Sequence, residues 1–367
     1  MKRRFLRSAV IFVVILTSLF SLFSCGEKYK PVKSTAEEKR TVIEISYDGK
    51  KYEVAYELYR AFFLELKSEI DGGNNAVWTG AEKIKYINAV DELIYQRLAE
   101  IYAVFHLCEK ADIDVYSNEF DEKIQAHIEA AVDGGSVDGN SYVGFGGDYD
   151  KYLQSLKSMN LNYSVQTLLI RYQLAYEALF NYYVGSSLED LNPDSQAGAI
   201  SFTKNDVKSF YLDESESRKV MVAFFDSAYF TEELAQEKRD KIASKTTVGD
   251  VTYYIGSLNG TPTVEVIGTH TYDKFYYSDF TKAAFSLSVG QTSPLIQLNT
   301  DSFDGYVVLY RLAASEGDFE ADYESVKTAY LYDRFGKTVE NTANHIVGEF
   351  KPTDTLKELD RSKVSMD

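Results

Sequence analysis

The sequence predicts an α+β protein: a mostly helical region, then a smaller mixed α/β module with an antiparallel-rich sheet, then a closing C-terminal helix. Three observations carry that reading. Through residues 50–184 apolar side chains recur every three or four positions, the period of helices with one buried face. Between 216 and 313, β-branched and aromatic runs alternate with short helical patterns, which suits a sheet with helices packed on it. A last helical pattern runs from Tyr323 to Val347. With 367 residues, 45% of them hydrophobic, the chain has apolar area for a core and more length than one core holds, so about two domains are expected.

The first element is an address. Lys2, Arg3, Arg4 and Arg7 are the only charges before residue 27, and they precede the apolar run Ala9 to Phe23. A basic stretch followed by a short apolar one is a secretory signal, too short for a comfortable membrane span. Its end, Leu22-Phe23-Ser24-Cys25-Gly26, looks like a lipobox, with cleavage between Ser24 and Cys25 and acylation of the Cys25 thiol. Losing residues 1–24 removes four positive charges, so the net charge of −17 becomes −17 − 4 = −21. That acidity argues against nucleic acid as a partner, because phosphates would be repelled.

Residues 25–40, polar and charged around Pro31, read as a tether. Val42 to Tyr47 alternates as a strand, Asp48-Gly49 signals a turn, and Lys50 to Val54 returns as a hairpin or enters a helix. Ala55, Tyr59, Phe62, Leu66 and Ile70 mark a helix that stops at Asp71-Gly72-Gly73. Ile87, Val90, Ile94, Leu98, Ile101, Phe105 and Cys108 mark a longer one, and Ser117 caps a third ending at Asp133-Gly134-Gly135. A glycine-rich loop leads to helices over Tyr149–Lys157 and Tyr163–Val184, and 185–204 reads as a linker. Beyond it come a short helix over Asp206–Leu212, a strand over Lys219–Phe225 and a helix over Thr231–Ala243. β-rich stretches over Val251–Ile255 and Thr263–Ile267, a helix over Tyr277–Ser286 and a final strand over Gly305–Leu312 follow. Residues 351–367 read as a polar tail.

Chemistry-bearing residues are sparse. His106, His127, His270 and His345 have no partners at metal-ligand spacing, and Cys108 continues an apolar stripe as a structural thiol. Gly144-Phe145-Gly146-Gly147 lacks the strand and the Lys-Ser/Thr pair of a phosphate loop, so a flexible loop is expected. The acidic stretch 133–150 lacks the spacing of an EF-hand and reads as solvated, and Thr269-His270-Thr271 reads as an exposed loop histidine. No nucleotide motif is present and no cofactor is expected.

The order of elements resembles the extracytoplasmic foldases PrsA and SurA. Four segments carry the likeness: Val42 to Phe62, Phe145 to Tyr163, Asp206 to Tyr211, and Asp279-Phe280-Thr281-Lys282-Ala283-Ala284-Phe285 to Leu295 with Gly305-Tyr306-Val307-Val308-Leu309-Tyr310. The last is similar to the second half of a parvulin-type peptidyl-prolyl isomerase. The resemblance implies a helical chaperone domain over 41–184, a degenerate parvulin-like domain over 205–313 and a C-terminal helix over 314–350 packing back on the helical domain. Phe280 matches the proline-pocket phenylalanine, Tyr276 stands where the pocket methionine belongs and Val307 where the second histidine belongs. The strand Lys219–Phe225 lacks the first histidine, and neither the Gly-Gly-Asp-Leu-Gly motif nor its preceding helix is recognisable between Ala243 and Gly268.

The resemblance implies a membrane-anchored chaperone that binds unfolded secreted polypeptides, with isomerase activity lost. Tyr276, Phe280 and Val307 are then the candidate peptide-binding pocket. A groove lined by apolar side chains is expected between residues 50–184 and the helix at 323–347. The alternatives are an active parvulin-type isomerase and a solute- or glycan-binding lipoprotein.

Overall fold

The computed structural model describes residues 28–185, 198–259, 263–270, 278–300 and 303–366, and the fold is α+β. The described chain divides into two compact units, one of residues 28–179 with 339–366, the other of 180–338.

The first unit begins with a hairpin, β1 (Thr41–Tyr47) and β2 (Lys50–Ala55). Its two-residue turn puts Asp48 at φ 50° and Gly49 at φ 75°, the left-handed pair that matches strand twist. Five helices follow in outline: α1 (Tyr56–Asp71), α2 (Lys83–Lys110) and α3 (Asn118–Asp133), then α4 (Tyr149–Ser158) and α5 (Tyr163–Val184), with a short hairpin between α3 and α4. That hairpin, β3 (Gly135–Val137) and β4 (Asn140–Tyr142), occupies the first part of the glycine-rich stretch read as a loop, and 144–147 after it is irregular. Asp138-Gly139 makes its turn, with φ of 50° and 81°. From Leu98 to Cys108, α2 is apolar on nearly every side and buried, so it is the central helix of the unit.

The residues read as a tether are ordered from Lys28 onward and packed. Glu38 accepts from Arg60 at 2.8 Å and from Asn162 at 3.2 Å, and its carbonyl takes the Glu57 amide at 2.9 Å. Those partners fix the polar segment despite its composition.

The second unit holds α6 (Lys204–Leu212), capped by a reciprocal Thr203–Asp206 box, then β5 (Ser217–Asp226), α7 (Glu232–Ala243) and α8 (Val248–Asn259). β6 (Thr263–Gly268), α9 (Ser278–Ser286), β7 (Ile296–Thr300) and β8 (Phe303–Leu312) complete an antiparallel sheet in the order β6-β5-β8-β7. Most of the expected linker, 186–197, lies outside the described residues. Strand alternation sorts the core: Met221, Ala223, Phe225 and Val308 pack with Ala235 and Ile242 of α7 and Val251 and Ile255 of α8. On the opposite face Val220, Val222, Val307 and Leu309 pack with Phe280 and Ala284 of α9.

Residues 251–255, read as β-rich, are helical. Thr247 accepts from the Asp250 amide at 3.1 Å and donates to its carboxylate at 2.7 Å, and Val251 and Ile255, four apart, bury one helical face on the sheet. Burial of that stripe overrides β-propensity. A helix therefore does occupy the stretch where none was recognisable.

α10 (Phe319–Val347) runs through both units, and the chain returns to the first in β9 (Phe350–Pro352) and α11 (Asp354–Lys357). Hence 351–367 is not a free tail. β9 pairs antiparallel with β1, giving a sheet ordered β2-β1-β9, and Thr353 donates to the carbonyls of Thr41 and Val42. Arg361, 5% exposed, donates to Asp91 at 3.2 Å, and Asp91 also accepts from Tyr59 at 2.5 Å.

Removing one partner of a buried pair strands the other charge. Arg361→Met is expected to cost about 3 kcal/mol of stability, read as a lower urea midpoint by fluorescence of Trp78, which is buried in the same unit. Adding Asp91→Asn should recover part of that loss.

Candidate functional site

Of the residues expected to form a proline pocket, the two that are described, Phe280 and Val307, do not open to solvent. Phe280 and Val307 come together in one cluster on the α9 face of the sheet, at 3% and 0% exposure, with Ile296 and Leu298 beside them. Tyr276, Ser24 and Cys25 lie outside the described residues. Phe224, on the same face of β5, is partly exposed and meets Phe303 edge-on at 5.5 Å.

The first unit contains an open cleft of about 370 Å³ walled by β2, α1, α2 and α5. Leu58, Phe105, Val165 and Leu168 make its apolar surface, and Tyr52, Tyr102 and Tyr116 add rings with hydroxyl groups. The rings form a chain: Tyr52 to Tyr102 at 5.5 Å, Tyr102 to Phe105 at 6.3 Å, Phe105 to Tyr116 at 6.3 Å. Tyr116 is 65% exposed and is held by Arg171, whose guanidinium lies 4.9 Å from the ring centroid. Arg171 is fixed in turn by Asp121 at 2.6 Å and by the Val115 carbonyl. At the floor, Glu57 accepts from Ser164 at 2.8 Å and Asn162 at 2.7 Å, so this buried carboxylate is fully engaged.

β2 is an edge strand, and its outer edge borders the cleft. In a two-residue hairpin the pair flanking the turn, Tyr47 and Lys50, is hydrogen-bonded, and the pairs then alternate. Lys51 and Glu53 thus aim their amide and carbonyl groups away from β1. The Tyr102 hydroxyl, donating to the Glu53 carbonyl at 3.0 Å, confirms that direction. Apolar walls beside outward main-chain groups suit an extended peptide of loosely defined sequence.

None of these cleft residues except Phe105 belonged to a predicted stripe. Two signals were available in the sequence: α2 turns apolar all round after Leu98, and Arg171 is the single cation in 163–184.

The histidines are structural in different ways. The buried His106 shares a hydrogen bond with Tyr52 through Nδ1 at 3.0 Å, and its Nε2 lies 3.4 Å from Asp48 in the first hairpin turn. His127 repeats the arrangement with Tyr142 at 2.7 Å and Asp138, in the second hairpin turn, at 3.4 Å. His270 is not the exposed loop residue expected. It lies 3.4 Å from the fully buried Asp333, bridged by Thr269, and a Cβ on Gly336 would approach the His270 Cβ to 2.4 Å. His345 is exposed on α10. Cys108 is buried, donates to the Ala175 carbonyl, and burial pushes its thiol up to about 12, which leaves it inert. In the glycine-rich segment the amides of Phe145 and Gly147 are both taken by the Val132 carbonyl, so they are not turned toward a phosphate. Among the described residues no group of three or more His, Cys, Asp or Glu is placed to hold a metal ion, and no helix is long and apolar enough to cross a membrane.

Burial holds the pKa of both His106 and His127 below the ordinary value, with Lys110 assisting at His106 and the turn aspartates opposing. A depressed histidine pKa gives stability that is complete above about 6.5 and lost as pH falls through the folded value. Glu38 acts lower: burial pushes its pKa up, but hydrogen bonds from Thr35, Arg60 and Asn162 outweigh this and hold it at about 2. Its contribution is present above about 4.5 and is lost toward pH 2. The Trp78-monitored midpoint should therefore fall in two steps, below pH 6.5 and again below 4.5, and His106→Gln with His127→Gln should flatten only the first.

Neither a family model nor a curated protein matches the chain. Solved structures do match it, and several of them are structures of the foldase PrsA. The chain is similar to foldase protein PrsA from Streptococcus pneumoniae, at 14% identity over 85% of this chain and 96% of that one, with a TM-score of 0.31. It is also similar to PrsA from Lactococcus lactis (11% identity, 89% and 99% covered, TM-score 0.25) and from Bacillus subtilis (14%, 89% and 98%, 0.22).

Proposed function

We propose that this chain is an extracytoplasmic chaperone, anchored through lipid on Cys25, that holds extended segments of unfolded secreted polypeptides. The observation that carries this reading is the aromatic cleft lying beside the unpaired outer edge of β2. Apolar client side chains would enter the cleft, while the client backbone pairs as an added strand with the outward main-chain groups of Lys51 and the Glu53 amide, the Glu53 carbonyl already being taken by Tyr102. Such binding is indifferent to most of the client sequence and needs no nucleotide, because holding the unfolded state only shifts its equilibrium.

Prolyl isomerisation is not part of the proposed activity. The family histidine position is Val307, and Phe280 is packed in the sheet core. Lowering a barrier of about 18–20 kcal/mol takes polar groups aimed at a bound, twisted amide. Those groups are lacking at the corresponding positions of this sequence.

Two substitutions test the binding mode. Tyr116→Ser removes an exposed ring from the cleft mouth, and Glu53→Pro removes an outward amide without touching the β1 ladder. Each is expected to weaken binding of an unfolded, reduced secreted protein about fivefold, the worth of roughly one kcal/mol per lost contact, with the urea midpoint unchanged. Binding insensitive to both would overturn the cleft reading. A proline-limited refolding reaction should show the same slow phase with and without excess protein.

A further inference from the structure

The segment Lys28–Lys30 is clamped to one corner of the first unit. The Lys28 amide donates to Glu129 at 3.4 Å and its ammonium meets Asp133 at 2.7 Å. Tyr29 donates to the other oxygen of Asp133 at 2.7 Å and stacks on Tyr149 at 5.0 Å, while Tyr149 donates to the Lys30 carbonyl at 2.9 Å. The chain is thus gripped on both sides of Tyr29 by the end of α3 and the start of α4.

Cys25 precedes Lys28 by three residues. Three fully extended residues reach about 11 Å at most, whereas a free chain of the length of 25–40 averages roughly 22 Å end to end. We propose that the corner formed by the end of α3, the β3–β4 hairpin and the start of α4 lies against the headgroup layer of the bilayer. The inference rests on the reading of Cys25 as the acylated residue.

The chemistry of the corner fits a surface held by the lipid chain and not by charge. Lys28 meets Asp133 and Lys151 pairs with Asp148 at 3.0 Å, while Glu129, Asp138 and Asp150 outnumber the one further cation, Lys30, so an anionic leaflet would oppose the contact. Val143, just after β4, is the large apolar side chain this corner exposes. A neutral headgroup layer is the partner that these groups accept.

The test uses the full chain, produced with its leader in bacteria and reconstituted in phosphatidylcholine vesicles that carry an acceptor-labelled lipid. A donor fluorophore on a non-canonical amino acid is placed at Ser141 in the hairpin or at Glu119 near the other end of α3. Glu119 lies about 21 Å along the helix from Asp133, so energy transfer from Ser141 is expected to be about twofold higher. The double variant Tyr29→Ala, Asp133→Ala should abolish that difference while the protein stays on the vesicles. The N-terminal mass is read in parallel. An unmodified Cys25 would overturn the lipid reading and this surface with it. An acylated Cys25 with equal transfer from both positions would overturn the surface alone, and a difference that survives the double variant would overturn the clamp as its cause.

Discussion

The pairing of β1 with β9 closes the first unit, and much else depends on it. Ile43, Glu44 and Ile45 find partners at Pro352, Lys351 and Phe350, so strands more than 300 residues apart in sequence share one small sheet. The second unit is in consequence an insertion in the sequence of the first, between residues 179 and 339. A pairing over such separation gains nothing until the intervening chain has been arranged, which makes it a late and cooperative contact. Fixing β1 from one side also fixes β2 as the exposed edge on the other. The proposed binding edge therefore exists because β9 takes the alternative position.

The two hairpins of the first unit share one local design. Each turns on Asp-Gly in the left-handed region, and each sets its aspartate near a buried histidine that a tyrosine from the returning strand holds at Nδ1. Uncharged, the ring satisfies the tyrosine at little cost in burial. Charged, it attracts the turn aspartate but loses solvation, and desolvation is the larger effect at both sites. Near neutral pH the arrangement is thus a structural staple. It also explains why the histidines, which invite a catalytic reading, belong to the architecture.

The second unit uses both faces of its sheet for packing. Its sheet keeps strict alternation, so both faces are filled: one by α7 and α8, the other by α9. Val307 and Phe280 serve that packing, and an apolar residue at Val307 is compatible with 0% exposure where an imidazole would need a partner. The proposed binding chemistry resides in the first unit, where apolar side chains lie beside main-chain groups turned away from β1.

Helices α1 to α7 and strands β5 and β8 were legible in the sequence, because most of their apolar periods are clear and their caps, such as Ser117 and Thr231, are local signals. The Asp48-Gly49 turn was equally plain. Residues 251–255 misled, since β-branched propensity is weak beside burial of a helical stripe. The strand at Phe350–Pro352 and the packed segment from Lys28 to Arg40 were invisible, because the first is three residues long, the second is polar, and both are held by partners far away in sequence. By itself the sequence determined most of the helices, the main strands of the second unit and the acidity of the chain. Tertiary structure decided which tyrosines share a cleft, which strand edge stays free and where the chain is gripped beside Cys25. These depend on contacts between distant residues, and local periodicity carries no record of them.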